Sequence, residues 1–141
     1  MTLVCVVCGS VRKRGSILRC RNHAPHHSRF ADIDETLIPA IVTLNQKGYT
    51  TRFCCAGHFW SPLPNCYIAF DKEIILPFLP DGYEVDIDYD TEESDIIVIR
   101  HEFTEKSVAD TAFAINDNAR LLLQWAEALP ERKEKNGHDI L

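Results

Sequence analysis

The hydrophobic positions of the chain recur with a helical period near both ends of its central part, and this pattern predicts two helices. Residues 37–44 place apolar side chains three or four positions apart, which indicates an amphipathic helix. Asp34 is its predicted N-cap, and Gly48 is predicted to end it at the C′ position. Residues 108–129 repeat apolar side chains with the same spacing, which predicts a long amphipathic helix lying across a sheet face.

Four segments between these helices are predicted to be strands, namely residues 50–55, 66–70, 83–90 and 95–103. In the first, alternation places Thr51, Phe53 and Cys55 on one face. Residues 83–90 alternate apolar and acidic side chains, so the apolar ones are expected to point inward, with residues 95–103 as the hairpin partner. The proline-broken stretch 72–80 is predicted to be a short helix or a turn.

These elements predict an α+β fold: an antiparallel sheet of about four strands with helices packed on one face. The chain of 141 residues is long enough for one domain with a real core. We expect a basic head at residues 1–30, the α+β body at 31–130 and a polar tail at 131–141 that frays.

Charge is distributed unevenly between these parts. Residues 1–31 contain six Lys and Arg and no acid, so their net charge is +6, and the remainder contains nine bases and 21 acids, so its net charge is −12. A basic head on an acidic body suggests two parts with different tasks. The head could dock on the body, be simply solvated, or contact nucleic acid or protein through the residues Arg12, Lys13, Arg14, Arg19 and Arg21.

The head also contains a metal-ligand pattern. Cys5-x-x-Cys8 is followed after eleven residues by Cys20-x-x-His23. Two such pairs can complete the tetrahedron of a structural Zn²⁺ ion, and about thirty residues cannot bury a core without such a staple. The sequence therefore predicts a small zinc ribbon at the N-terminus, in which His26 or His27 could replace His23 as the fourth ligand.

Several functional classes are disfavoured by the sequence. The chain has no apolar run long enough to cross a bilayer and no signal peptide at its start, so no membrane partner is expected. Six cysteines are then better read as thiols or metal ligands in the cytoplasm than as disulfides. No glycine-rich nucleotide fingerprint is present, and the acid row Glu84, Asp86, Asp88 and Asp90 is interpreted as a solvated strand face or a dock for the head rather than a metal site.

The stretch FCCAGH, residues 53–58, is the most unusual part of the body. Gly57 after a strand suggests a sharp turn that makes Cys55 and His58 neighbours. The stretch can be a strand end with buried thiols, a second zinc site that combines Cys55, His58 and Cys66, with His101 as a further ligand, or a ligand-binding or catalytic loop. In the last case the histidine assists proton transfer from the cysteine.

Residues 32–70 resemble the signature segment of the wybutosine-synthesising tRNA methyltransferase family. The residues that carry the resemblance are Asp34, Glu35, Pro39, Asn45, Thr51, Cys55 and Gly57. This segment is also similar to uncharacterised bacterial and phage proteins that share Lys47-Gly48-Tyr49, Cys55-Ala56-Gly57-His58 and Tyr67-Ile68-Ala69-Phe70. The family resemblance implies S-adenosylmethionine as cofactor and tRNA as substrate, although His58 stands where that family has arginine and Cys54 where it has serine.

Three functional hypotheses follow. The first is a cytoplasmic zinc-binding module that holds a ligand at residues 51–58 while its head contacts nucleic acid or protein. The second is a methyltransferase that acts on RNA, with Cys55 and His58 as catalytic residues and Asn45, Thr51, Arg52 and Gly57 as ligand-binding residues. The third is a structural partner in a complex, which predicts that the FCCAGH stretch is buried.

Overall fold

The computed structural model describes residues 2–5, 11–12 and 30–132. Within these ranges a three-stranded antiparallel sheet precedes the body, with the order β2-β1-β3, where β1 is Thr2–Cys5, β2 is Val11–Arg12 and β3 is Phe30–Ile33. The body contains a four-stranded antiparallel sheet in the order β4-β5-β7-β6, formed by β4 (Thr51–Cys55), β5 (Asn65–Asp71), β6 (Glu84–Val85) and β7 (Ile96–Glu102). The predicted antiparallel sheet of an α+β body is confirmed.

Two α-helices accompany the sheet. A 3-10 helix, Glu35–Leu37, leads directly into α1 (Ile38–Gln46), and α2 (Val108–Ala128) follows the last strand. The long helix predicted at the end of the body is confirmed, and Ser107 caps it by accepting a hydrogen bond from Asp110 N–H at 3.0 Å. Asp34 is the N-cap residue of the 3-10 helix, as predicted by position, but its side chain makes no cap hydrogen bond.

The core lies between the two helices and one face of the sheet, which we call the helix face. The two helices and the two strands β5 and β7 contribute core side chains that are at most 1% exposed, including Ile41, Leu44, Ile68, Phe70, Ile99, Leu122 and Ala126. Val4 of β1 and Ile33 of β3 join the same core cluster. The start of the chain is thus packed onto the body through these two residues.

The turn after α1 fastens the C-terminal end of α2. Lys47 donates hydrogen bonds from Nζ to the carbonyl oxygens of Ala126, Glu127 and Leu129 at 3.0, 2.6 and 2.7 Å. A cation at this position satisfies carbonyls that have no partner within the helix. Gly48 has φ +94°, as expected for a C′ residue, and the Tyr49 hydroxyl donates to Pro130 O at 2.6 Å.

A β-bulge at Arg52 changes the face of the sheet on which the side chains of β4 lie. The register pairs Thr51 with Phe70 but Phe53 with Ala69, so one extra residue lies on β4 between these pairs. Thr51 therefore faces the helices and is buried, whereas Phe53 is 47% exposed on the opposite face, which we call the outer face. The prediction that Thr51, Phe53 and Cys55 share one face is wrong for Thr51, because strict alternation does not include a bulge.

The strand predicted at residues 83–90 is much shorter in the structure. Only Glu84–Val85 pairs with β7, which confirms the hairpin partner, and the chain then turns away. Asp86 Oδ1 accepts from Asp88 N–H at 3.0 Å, and Asp86 binds Arg100 of β7. Ile87 is 80% exposed, so its predicted inward orientation is wrong. The proline-broken segment forms no helix, and its alternative prediction as a turn is the correct one.

Several predictions concern residues outside the described ranges. These are the ligand candidates Cys8, Cys20, His23, His26 and His27, the basic residues Lys13, Arg14, Arg19 and Arg21, and the tail from residue 133 onward. Among the helices of the described ranges, none combines the length and the apolar character needed to cross a membrane.

Candidate functional site

Cys55 and His58 meet at the end of β4. The distance between Cys55 Sγ and His58 Nε2 is 3.7 Å. Cys55 is 8% exposed, and His58 is exposed to solvent. A thiol and an imidazole in this arrangement can exchange a proton or together contact a ligand that enters from the solvent side.

The backbone conformation of this turn depends on two residues, Gly57 and Asp34. Gly57 has φ +103°, and a Cβ atom there would lie 3.1 Å from Asn65 O and 3.1 Å from Phe103 Cε2. Only glycine fits this combination of conformation and space. Ala56 N–H donates to Asp34 Oδ2 at 2.7 Å, so the carboxylate predicted to cap α1 instead stabilises the turn.

His58 belongs to an exposed group of rings that we call the aromatic shelf: His58, Phe59 and Trp60. The His58 and Trp60 rings are stacked with centroids 4.7 Å apart and planes at 25°. Phe59 meets Trp60 edge to face at 4.9 Å. Trp60 is 68% exposed, so much of its side chain is accessible to a flat ligand group. Sequence analysis did not include Phe59 and Trp60 among the site residues, although two adjacent aromatics after Gly-His in a proline-containing loop were a usable signal.

The other two thiols of this region face the core. Burial raises the pKa of Cys54 to about 12, with a smaller contribution from the Asp34 carboxylate. Burial also raises the pKa of Cys66 to about 11, and hydrogen bonds with Tyr83 and Asn118 partly offset that increase. Both groups therefore remain neutral thiols at physiological pH.

The residues proposed for a second zinc site do not converge. Cys55 pairs with Tyr67, so its neighbour Cys66 points to the opposite, helix face of the sheet. His101 pairs with Cys66, and its Nδ1 donates a hydrogen bond to Gly82 O at 2.9 Å. Among the described residues, no three His, Cys, Asp or Glu side chains are placed to hold a metal ion, so this part of the interpretation is wrong.

Asn45 and Thr51 bind each other rather than facing the turn. Asn45 Nδ2 donates to Thr51 Oγ1 at 2.9 Å and to Ile41 O at 2.9 Å, and Thr51 N–H donates to Asn45 Oδ1 at 3.3 Å. The pair fixes the end of α1 against the start of β4. Its evident role is to position β4, whose far end carries Cys55.

Arg52 lies at the bulge and forms ion pairs with acidic residues. Its guanidinium is 3.0 Å from Asp71 and 3.6 Å from Asp95. The hydrogen bond to Asp71 and the charge of Asp95 raise the pKa of Arg52. Asp71 is four residues along β5 from Tyr67, the partner of Cys55, which corresponds to about 13 Å. The structure therefore does not bring Arg52 to the Cys55–His58 pair.

The outer face continues from Cys55 across the whole sheet. Cross-strand pairing places Tyr67, Arg100 and Glu84 in one row with Cys55. The Arg100 guanidinium lies 4.9 Å from the Tyr67 ring centroid and 2.9 Å from Asp86. At the β6 end of this row lies an open groove of about 1130 Å³. Its lining combines acidic and apolar side chains with Arg100 and His101 and includes Glu84, Asp88, Glu102, Leu63 and Ile87. Cys55 and His58 do not line it.

No family model, curated protein or solved structure matches this chain. The resemblance of residues 32–70 to the wybutosine-synthesising methyltransferases thus stays a prediction that rests on the matching residues alone.

Proposed function

We propose that this chain is a cytoplasmic zinc-binding module that holds a ligand at residues 51–58 and contacts single-stranded nucleic acid with its aromatic shelf and basic head. The observation that carries the proposal is the linked arrangement of Cys55, His58 and Trp60. Cys55 lies 3.7 Å from His58, whose ring stacks on the exposed Trp60. A thiol and an imidazole next to an exposed aromatic surface are suited to a flat ligand such as a base.

The charge distribution supports nucleic acid over protein as the partner. β3 is the strand that follows the basic segment, and Asp34 comes directly after it. Because Asp34 binds Ala56, the end of β3 lies close to the shelf. The acidic side chains of β6 lie at the other edge of the body sheet, since the strand order is β4-β5-β7-β6. Phosphates would bind the basic residues of the head, and bases would stack on the aromatic rings.

The zinc ribbon is the second part of this proposal. Its four ligands are Cys5, Cys8, Cys20 and His23, and Cys5 is buried at the end of β1. Metal analysis of the purified chain is expected to give about one zinc ion per molecule. Cys8→Ser and Cys20→Ser should lower that ratio, whereas Cys54→Ala should not, because Cys54 faces the body core. A zinc-free, folded wild-type chain would contradict this part.

Fluorescence anisotropy with a labelled single-stranded RNA of roughly 12 nucleotides tests the nucleic-acid part, since such sites span about 4–16 nucleotides. Trp60→Ala is expected to weaken binding by about fivefold or more, because one stacked base contributes about 1–3 kcal/mol. Phe113→Ala is the matched control, because Phe113 is 73% exposed on α2. Equal affinities for both variants and the wild type would exclude the shelf as the binding surface.

The salt dependence of RNA affinity shows whether the basic head contacts phosphates. Each phosphate contact made by Lys or Arg contributes about −0.7 to the slope of log K against log salt for single strands. Replacing Arg12, Lys13 and Arg14 by Gln should therefore flatten the slope. An unchanged slope would show that the head makes no phosphate contacts.

The methyltransferase alternative is tested by calorimetric titration with S-adenosylmethionine. Two residues that it would use for binding are engaged elsewhere, Asn45 with Thr51 and Arg52 with Asp71. Saturable binding that His58→Ala weakens would nevertheless favour an enzyme. The structural-partner alternative predicts a buried stretch at residues 53–58, whereas His58 and the two aromatics after it are exposed.

A further inference from the structure

A second cavity lies on the helix face of the sheet, away from the aromatic shelf. It has a volume of about 310 Å³ and is a partly open cleft between α2 and residues 78–83. Sites that hold small organic ligands have volumes of about 300–1,000 Å³, so this cavity is of the size that takes a single ring system.

Apolar side chains form most of the cavity walls, and one hydrogen bond connects its two sides, α2 and residues 78–83. Phe78, Leu79, Leu122 and Trp125 line it, and Trp125 Nε1 donates to Phe78 O at 3.0 Å. This bond connects the proline-containing segment to α2. The exposed part of the lining includes two apolar side chains, since Phe78 is 47% and Leu121 52% exposed. A ligand in the cavity would cover both side chains.

A polar pair lies among these apolar walls. The Tyr83 hydroxyl is 3.0 Å from Asn118 Oδ1 and 2.8 Å from Asn118 Nδ2, and both residues are 7% exposed. Both line the cavity. A carboxamide oxygen has two lone pairs, so Asn118 Oδ1 can accept a second hydrogen bond after the one from Tyr83. Asn118 also hydrogen-bonds with Cys66 in the sense that lowers the pKa of the thiol, so Nδ2 donates there. The polar feature left for a ligand is therefore the acceptor Oδ1.

The charge of the lining also limits the class of ligand that can bind. Asp81 lines the cavity and is exposed to solvent, and Gln124 is the other exposed polar residue in the lining. A carboxylate at the opening disfavours anionic ligands. We infer that this cavity is a second binding site, for a small, flat, uncharged aromatic compound that donates one N–H or O–H hydrogen bond to Asn118.

Indole is the probe for this site, titrated into the ¹⁵N-labelled full chain and followed by ¹H–¹⁵N correlation spectra. The expected result is saturable shifts of the Asn118 side-chain amide and the Trp125 indole N–H, which both belong to the cavity. The matched probe 1-methylindole keeps the ring but has no N–H donor. It should bind more weakly, by up to about tenfold, as expected for one hydrogen bond.

Two tryptophan substitutions on α2 form the matched pair of variants. Leu121→Trp places a large ring at the rim and should weaken indole binding by about tenfold or more. Phe113→Trp introduces the same residue at an exposed position that does not line the cavity, and it should leave affinity within about twofold of wild type. Both positions are more than half exposed, so both variants are expected to fold.

Four outcomes would overturn the inference: no saturable shifts, binding unchanged in Leu121→Trp, equal binding of 1-methylindole, or shifts confined to His58 and Trp60. The last result would place the ring on the aromatic shelf. Because the cavity and the shelf share no residues, failure here leaves the RNA experiment unaffected, and the reverse also holds.

Discussion

The Asp34 carboxylate accepts a hydrogen bond from the Ala56 backbone N–H at 2.7 Å, and this bond joins the residue before the first helix to the turn that carries Cys55 and His58. Asp34 also directly follows β3, so one side chain connects the first sheet, the first helix and the candidate site. A carboxylate that accepts a backbone N–H in a half-buried position makes a stronger bond than a neutral acceptor does. The position of the site therefore depends on Asp34.

Asp34→Ala is expected to lower the free energy of unfolding by about 1–3 kcal/mol, because the buried Ala56 N–H loses its acceptor. Asp34→Asn keeps an oxygen in place and should recover part of that loss. Urea unfolding measures both variants, and hydrogen exchange should be faster at Ala56 in the alanine variant. Equal stability of Asp34→Ala and the wild type would show that the bond contributes nothing.

The buried thiols predict a loss of stability in alkaline solution. Cysteine has a reference pKa of 9.0, whereas folding raises the pKa of Cys54 to about 12 and that of Cys66 to about 11. Above pH 9 the unfolded chain releases these protons while the folded chain keeps them, so the free energy of unfolding falls as pH rises. Burial also raises the pKa of Tyr83, which acts in the same direction above its reference value of 10.0.

The slope of this loss can be measured by urea unfolding at several pH values with zinc present throughout. Each thiol contributes up to about 1.4 kcal/mol per pH unit between the unfolded and folded pKa values. Cys54→Ala and Cys66→Ala should each reduce the loss of stability with pH. Below pH 8 these two thiols should cause no change of stability with pH. A wild-type chain whose stability is constant or increases from pH 9 to pH 11 would refute the burial effect.

The two α-helices and the strand β7 could be predicted because their sequence patterns are local and periodic. α2 repeats apolar side chains through 21 residues, and Gly48 ends α1 in the conformation that its lack of a Cβ permits. The turn at Gly57 could be predicted for the same reason. In each case the information is contained within a few neighbouring residues.

The features that sequence analysis missed depend on residues far apart in the chain. The strand after Tyr83 ends early where Asp86 binds Arg100 fourteen positions later, and the bulge at Arg52 is visible only in the pairing with β5. Asp34 matched an N-cap pattern, but its partner is Ala56, 22 residues away. Local propensity does not contain these tertiary contacts.

The Lys47-Gly48-Tyr49 motif is predicted to act on stability rather than on ligand binding. Lys47 Nζ contacts three carbonyl oxygens at the end of α2, so Lys47→Met should cost about 1–2 kcal/mol. Lys106→Met is the control, since Lys106 is exposed before α2 begins, and its effect should be within about 0.5 kcal/mol. Thermal unfolding and RNA affinity are measured on both variants. Lost RNA binding in a fully stable Lys47→Met protein would instead place this lysine in the binding site.

The fluorescence of Trp60 during titration with single-stranded RNA tests the central claim most directly. Trp60 is 68% exposed and the other tryptophan, Trp125, is 6% exposed, so the Trp60→Phe variant identifies the signal of the shelf by difference. If a base stacks on Trp60, emission is quenched in a saturable manner, with the same midpoint as the anisotropy change. If anisotropy reports binding while Trp60 emission stays constant, the aromatic shelf is not the nucleic-acid site, and the central claim is contradicted.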